Sequence, residues 1–176
     1  QALGNDLNTV ENRAGNQVQS AADASFDAWI KYYRPDENSA NTGISYYSKG
    51  ALLAMLLDVK LLAATNGDKR LDDVLKAAYE RFYVKEKRGF EEAELQALIE
   101  KETGVSVDDI FAAAHAVGSP DYNQYLNAVG YEVVDYNEGR DLPDLGITTT
   151  VTDGRVTVTG VGRGTAAWDG GIRYFD

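Results

Sequence analysis

The chain has 176 residues, 44% hydrophobic and 26% charged, with a formal net charge of -11 at pH 7. That length and apolar content support a buried core and exclude a disordered segment. The acidic balance argues against a nucleic-acid partner, which needs clustered Lys and Arg, and the absence of cysteine excludes disulfides, iron–sulfur clusters and thiolate zinc sites.

Residues 2–18 are polar and Asn-rich with weak periodicity, which predicts a helix that is frayed or packs on a further part of the protein. Residues 25–33 carry Phe26, Trp29, Ile30 and Tyr33 at i, i+3, i+4, i+7 spacing, one helical face that is expected to be covered as core. Arg34-Pro35 ends that helix, because the residue before proline is driven out of the helical region, and a polar loop follows. The central helix is expected from Ile44 or Ser45 to about Ala64, closed by Asn66-Gly67 in left-handed conformation. Its apolar run, residues 51–64, is broken by Asp58 and Lys60 and is too short to span a bilayer, so no membrane span is expected.

Two amphipathic helices follow, over residues 71–84 and 90–102. Ser106 has the spacing of a capping box with Asp109, and Ser119-Pro120 that of a cap followed by a first-turn proline, which predicts two short helices. After Gly130 the period changes. Residues 131–136 read as a strand, and residues 145–161 alternate β-branched side chains around Asp153-Gly154, a hairpin signal. Asn137, Glu138, Gly139 and Arg140 make a polar linker between the two regions.

Residues able to carry chemistry are few. His115 is the only histidine, and carboxylates alone rarely hold zinc, so a hydrolytic zinc centre within this chain is not expected. The acidic pairs Asp72-Asp73, Glu91-Glu92 and Asp108-Asp109 fall in expected first turns, where negative charge suits the helix dipole. Tyr46 and Tyr47 open the central helix. Neighbouring helical residues diverge by about 100°, which predicts that at most one of them faces a given cleft.

The stretch Tyr46-Tyr47-Ser48-Lys49-Gly50, followed by an apolar helix, resembles the Tyr-x-Lys-Gly segment of thermolysin-like aminopeptidases. Together with residues 24–38, Thr65-Asn66-Gly67 and Leu71-Asp72-Asp73-Val74, it resembles the glycyl aminopeptidase family, metallopeptidases with a C-terminal PDZ domain. Leu145-Gly146-Ile147-Thr148, Gly160-Val161 and residues 165–169 look like that family's PDZ opening.

The resemblance implies a mainly α fold: the helical C-terminal lobe of a peptidase catalytic domain over residues 1–136, then a short β region from an incomplete PDZ domain over residues 143–176. It implies a bacterial parent, of the envelope or periplasm, that uses zinc to hydrolyse N-terminal peptide bonds, with a preference for glycine or small residues. The zinc ligands and general base are expected in the N-terminal part of that catalytic domain, so this chain alone is expected to hold no cofactor and to be inactive. Tyr47 matches the position that hydrogen-bonds the tetrahedral oxyanion, with Tyr46 as the alternative. Lys49 is expected to satisfy a nearby carboxylate or carbonyl, and Gly50 to permit close backbone packing.

Leu145, Gly146 and Ile147 correspond to the loop and strand that bind an extended peptide, although Asp144 directly before them disfavours an anionic terminus. The exposed hairpin edge could pair two copies into a homodimer. The competing expectation is a non-catalytic peptide or protein interaction module.

Overall fold

A 19-residue helix, α4 (Tyr46–Ala64), is the longest element of the computed structural model, which describes residues 2–136, 138–139 and 143–175. Two compact units share the chain: residues up to Lys49 with those from Val134 onward, and Gly50–Val133. The fold is mainly α with a two-stranded antiparallel sheet, as the sequence implies.

In the first unit, α1 (Ala2–Glu11) leads through a 3-10 turn to α2 (Ala21–Phe26) and α3 (Ser39–Thr42). Ser20 caps α2, its Oγ accepting from Asp23 N–H at 3.0 Å. The expected helix over residues 25–33 is not formed. α2 stops at Phe26 and turns carry the chain onward. The buried residues here are small, Ala21 and Ala24 in α2 and Ala28 in the turn after it, while Phe26 (90% exposed), Trp29 (80%) and Ile30 lie outside the core. The i+3 and i+7 spacing of those alanines competes with that of the aromatics, and the small side chains allow the closer packing.

β1 (Ile147–Thr152) and β2 (Arg155–Val161) form the expected hairpin, in register from Ile147↔Val161 to Thr152↔Arg155, with an irregularity between Thr148 and Thr149. Asp153 and Gly154, at φ 52° and 77°, make the turn. Asn41 ties the hairpin to the start of the unit: its Nδ2 donates to Val161 C=O and its Oδ1 accepts from Arg163 N–H, both at 2.8 Å. A short helix, α9 (Ala166–Asp169), follows, capped by Thr165. Of the expected linker, Glu138 and Gly139 form a turn, while Asn137 and Arg140 lie outside the described residues.

The second unit continues α4, whose end is the one expected: Asn66 and Gly67 adopt φ 52° and 85°, and Gly67 N–H reaches Leu62 C=O. α5 (Leu71–Ala78) runs into a π-helical segment (Tyr79–Lys85) and packs on α6 (Glu92–Thr103) through Ala78, Phe82 and Leu98. The acidic pairs do sit at helix starts. Asp73 accepts from Arg70 N–H and Glu94 from Glu91 N–H. α7 (Asp108–His115) begins without the expected capping box, because Ser106 Oγ bonds to Asp108 instead. α8 (Asn123–Leu126) starts three residues beyond Pro120, its first N–H held by Asp121. The strand expected at residues 131–136 is absent. Asn123 occupies both polar groups of the Val133 backbone, at 2.7 and 3.0 Å, and stands in for a pairing strand.

Candidate functional site

The doubled tyrosine sits on the first turn of α4. Tyr33, delivered by the turn that replaces the expected helix, approaches both: its Oη lies 3.0 Å from Tyr46 Oη and 2.9 Å from Tyr47 Oη. The Tyr46 and Tyr47 rings are 4.2 Å apart between centroids, tilted by 30°. The two rings stay neighbours although their Cα–Cβ bonds diverge, but their settings differ: Tyr47 is exposed, while Tyr46 is half-buried. Tyr32 packs edge-on against Tyr33 and Tyr46, and its hydroxyl lies 3.5 Å from Ser45 Oγ. Trp29 covers Tyr33 at 5.1 Å. The aromatic group expected as core is thus a surface cluster.

The three phenols are not equivalent. Hydrogen bonding to Tyr33, then to Tyr47, pushes the Tyr46 phenol above its ordinary value. The bond with Tyr33, then that with Tyr46, holds the Tyr47 phenol below its own. For Tyr33 the Tyr46 bond lowers the value, but the Tyr47 bond and burial outweigh it and the net direction is upward. Tyr47 is 59% exposed, so the phenol held below its ordinary value also faces solvent.

Lys49 is 2% exposed, and its Nζ donates to Asn16 Oδ1 at 3.1 Å. Burial lowers its pKa, partly offset by the charge of Glu11. The expected partner, a carboxylate or carbonyl, is met by a buried amide oxygen. Gly50 differs from expectation: a Cβ built there meets nothing within 4 Å, so it is not a close-packing glycine. Gly15 is one, since its Cβ would lie 2.2 Å from Gly43 C=O, and Arg13 Nε bonds that same carbonyl.

At the start of the hairpin, Gly146 N–H donates to Asp144 Oδ1 at 2.8 Å, while Gly146 C=O accepts from Gly162 N–H and Leu145 C=O from Ala167 N–H. Ile147 pairs with Val161. The Gly146 amide is therefore already satisfied within the chain, by the Asp144 carboxylate.

Among the described residues no group of three His, Asp or Glu side chains could hold a metal ion. His115 bonds Glu92 through Nε2 at 2.8 Å on the surface of the second unit. Asp109 binds Lys60 and Tyr125 at 2.6 and 2.8 Å, a structural cluster. Among the described residues no helix is long and apolar enough to cross a membrane.

The segment from α1 to the first turns of α4, which holds all three phenols and Lys49, is also the segment matched by a family model. Residues 1–53 match the M61 glycyl aminopeptidase family. A crystal structure of an aminopeptidase N family protein from Idiomarina loihiensis superposes with a TM-score of 0.82 at 27% identity, over 98% of this chain. This chain spans 32% of that one. No curated protein matches. The family resemblance carried by Tyr47-Ser48-Lys49-Gly50 and the peptidase-type fold therefore agree. Tyr33 was not marked by the motif: it lies 14 residues before Tyr47, and nothing in the spacing says that the two meet.

Proposed function

We propose that the chain is the C-terminal helical lobe of a zinc-dependent aminopeptidase, followed by the first strands of a PDZ-like segment. Tyr47 supplies a hydrogen bond to the oxyanion of the tetrahedral intermediate. The observation that supports this most directly is the placement of an exposed phenol, backed by two others, within the segment matched by the peptidase family. A phenol keeps its proton at neutral pH and can donate it toward developing negative charge.

The zinc and the general base belong to residues outside this chain, which is inactive by itself. The substrates are peptides with a free N-terminus, with preference for glycine or other small residues. In the longer enzyme, Tyr47→Phe slows turnover by about a hundredfold or more with KM little changed. An unchanged rate removes Tyr47 from the mechanism. Zinc content and glycyl-substrate cleavage, measured on the longer enzyme beside this chain, test the division of labour.

A second reading, a peptide or protein interaction module, is favoured by β1. Among the described residues it pairs only with β2, and five of its six residues are exposed. Leu145, Gly146 and Ile147 would lead an added strand onto that edge. Retention of zinc and activity by the longer protein decides against this as the main function.

A further inference from the structure

We propose that Tyr33 is a positioning residue for Tyr47: it donates its hydroxyl proton to Tyr47 Oη and accepts one from Tyr46, leaving the Tyr47 proton directed outward to the reacting oxygen. The inference rests on the oxyanion role given to Tyr47 above.

The geometry supplies the relay. Tyr33 Oη stands between the other two phenols at 3.0 and 2.9 Å, close to the usual separation of hydroxyl pairs. A hydroxyl has one proton, so Tyr33 can donate to one neighbour only and must accept from the other. If Tyr33 donates to Tyr47, Tyr47 accepts within the cluster and keeps its own proton for an outside acceptor. If Tyr33 donates to Tyr46, the Tyr47 proton is spent on Tyr33 and is lost to any substrate.

Exposure favours the first arrangement. Of the two outer phenols Tyr47 is the more exposed, whereas Tyr46 is half-buried, with Tyr32 against its ring at 5.4 Å. The directions of the shifts agree: Tyr47, which only accepts within the cluster, is held below its ordinary value, and Tyr46 and Tyr33, which donate, are raised. Among the described residues the titratable groups facing one another in this cluster are Tyr32, Tyr33, Tyr46 and Tyr47, and tyrosines alone act on the three phenols. A chain of hydroxyls also polarises its last member, which makes Tyr47 a stronger donor than an isolated phenol.

Tyr33 is held for this task. Its N–H bonds to Ala28 C=O at 3.0 Å, its ring packs between Trp29 at 5.1 Å and Tyr32 at 5.2 Å, and Pro35 follows closely. Tyr33→Phe keeps these ring contacts and removes only the relay.

The test is a titration of the chain labelled with 13C at tyrosine Cζ, which resolves each phenol by NMR. In the unsubstituted chain Tyr47 is expected to ionise first of the three. In Tyr33→Phe its midpoint rises by about half a pH unit or more, and in Tyr46→Phe by less. Amide spectra establish that each variant is folded. Ionisation of Tyr46 or Tyr33 before Tyr47 overturns the proposal without any variant, as does an unmoved Tyr47 midpoint in folded Tyr33→Phe.

In the longer enzyme, Tyr33→Phe is expected to lower kcat about tenfold, leave KM unchanged and shift the alkaline limb of kcat upward with the Tyr47 midpoint. If Tyr47→Phe is slow while Tyr33→Phe is normal in rate and pH profile, the positioning role alone fails. If Tyr47→Phe is itself normal, the oxyanion reading fails and the positioning role falls with it.

Discussion

Lys49 Nζ lies 3.1 Å from Asn16 Oδ1, and both side chains are withdrawn from solvent, at 2% and 1% exposure. The hydrogen bond offsets part of the lost hydration of the ammonium group, and it ties the first turn of α4 to the 3-10 turn Ala14–Gln17. Lys49→Met keeps the aliphatic stem and removes the donor. We expect it to destabilise the chain by about 1–3 kcal/mol, read as a lower urea midpoint. The pH dependence has a definite sign. Burial depresses the folded-state pKa below the unfolded value of about 10.4, so the unfolded chain binds more protons between the two and stability rises with pH there. That rise should disappear in Lys49→Met.

Gly50 follows Lys49 inside α4, with open space where a side chain would be. Gly50→Ala is expected to stabilise the chain by about 0.5–1 kcal/mol, the ordinary helix-interior difference. A lower denaturation midpoint for the alanine variant would show that the position is constrained by a neighbour these residues do not include.

In the second unit, Arg88 grips Glu94 through both guanidinium nitrogens, at 2.8 and 2.7 Å, and holds its carboxyl down to about 2, aided by the Glu91 N–H. The folded-state value lies below the unfolded value of about 4.3. The pair's contribution is therefore complete above about pH 4.3 and is lost as pH falls toward 2. Thermal unfolding followed from pH 6 downward should show Arg88→Ala and the unsubstituted chain converging at the acid end. A gap that stays constant with pH contradicts the assignment.

The free edge of β1 is expected to pair with a second copy at high protein concentration. Sedimentation should show a concentration-dependent dimer that Val151→Pro abolishes, since Val151↔Val156 is a non-hydrogen-bonded pair of the hairpin and proline at 151 removes an outward-facing donor. A monomer mass at all concentrations refutes edge pairing.

The elements legible in the sequence are those whose signal is local. The end of α4 depends on Asn66-Gly67, the hairpin on Asp153-Gly154 between β-branched runs, and the helix starts on paired carboxylates; each of these works within a few residues. What was missed depends on partners distant in the chain. The aromatic spacing of Phe26, Trp29 and Ile30 is a real helical period, yet Ala21, Ala24 and Ala28 take the buried side. Residues 131–136 have strand composition, but the Asn123 side chain captures the Val133 backbone. The site was half legible. Tyr46 and Tyr47 were found through the motif, whereas Tyr33 depends on the turn that follows α2.

The approach of Gly15 to Gly43 has a consequence for any mutational survey of this protein. The contact is backbone to backbone, with a Cβ at position 15 brought to 2.2 Å of the opposing carbonyl, so no side-chain rearrangement can relieve a substitution there. Residue 43 lies three residues before α4 begins, and displacing it would shift the origin of that helix. Substitutions at Gly15 would then score as loss of function beside those at Tyr47, though Gly15 has no chemistry to offer. Separating the two classes requires a fold readout at every position scored.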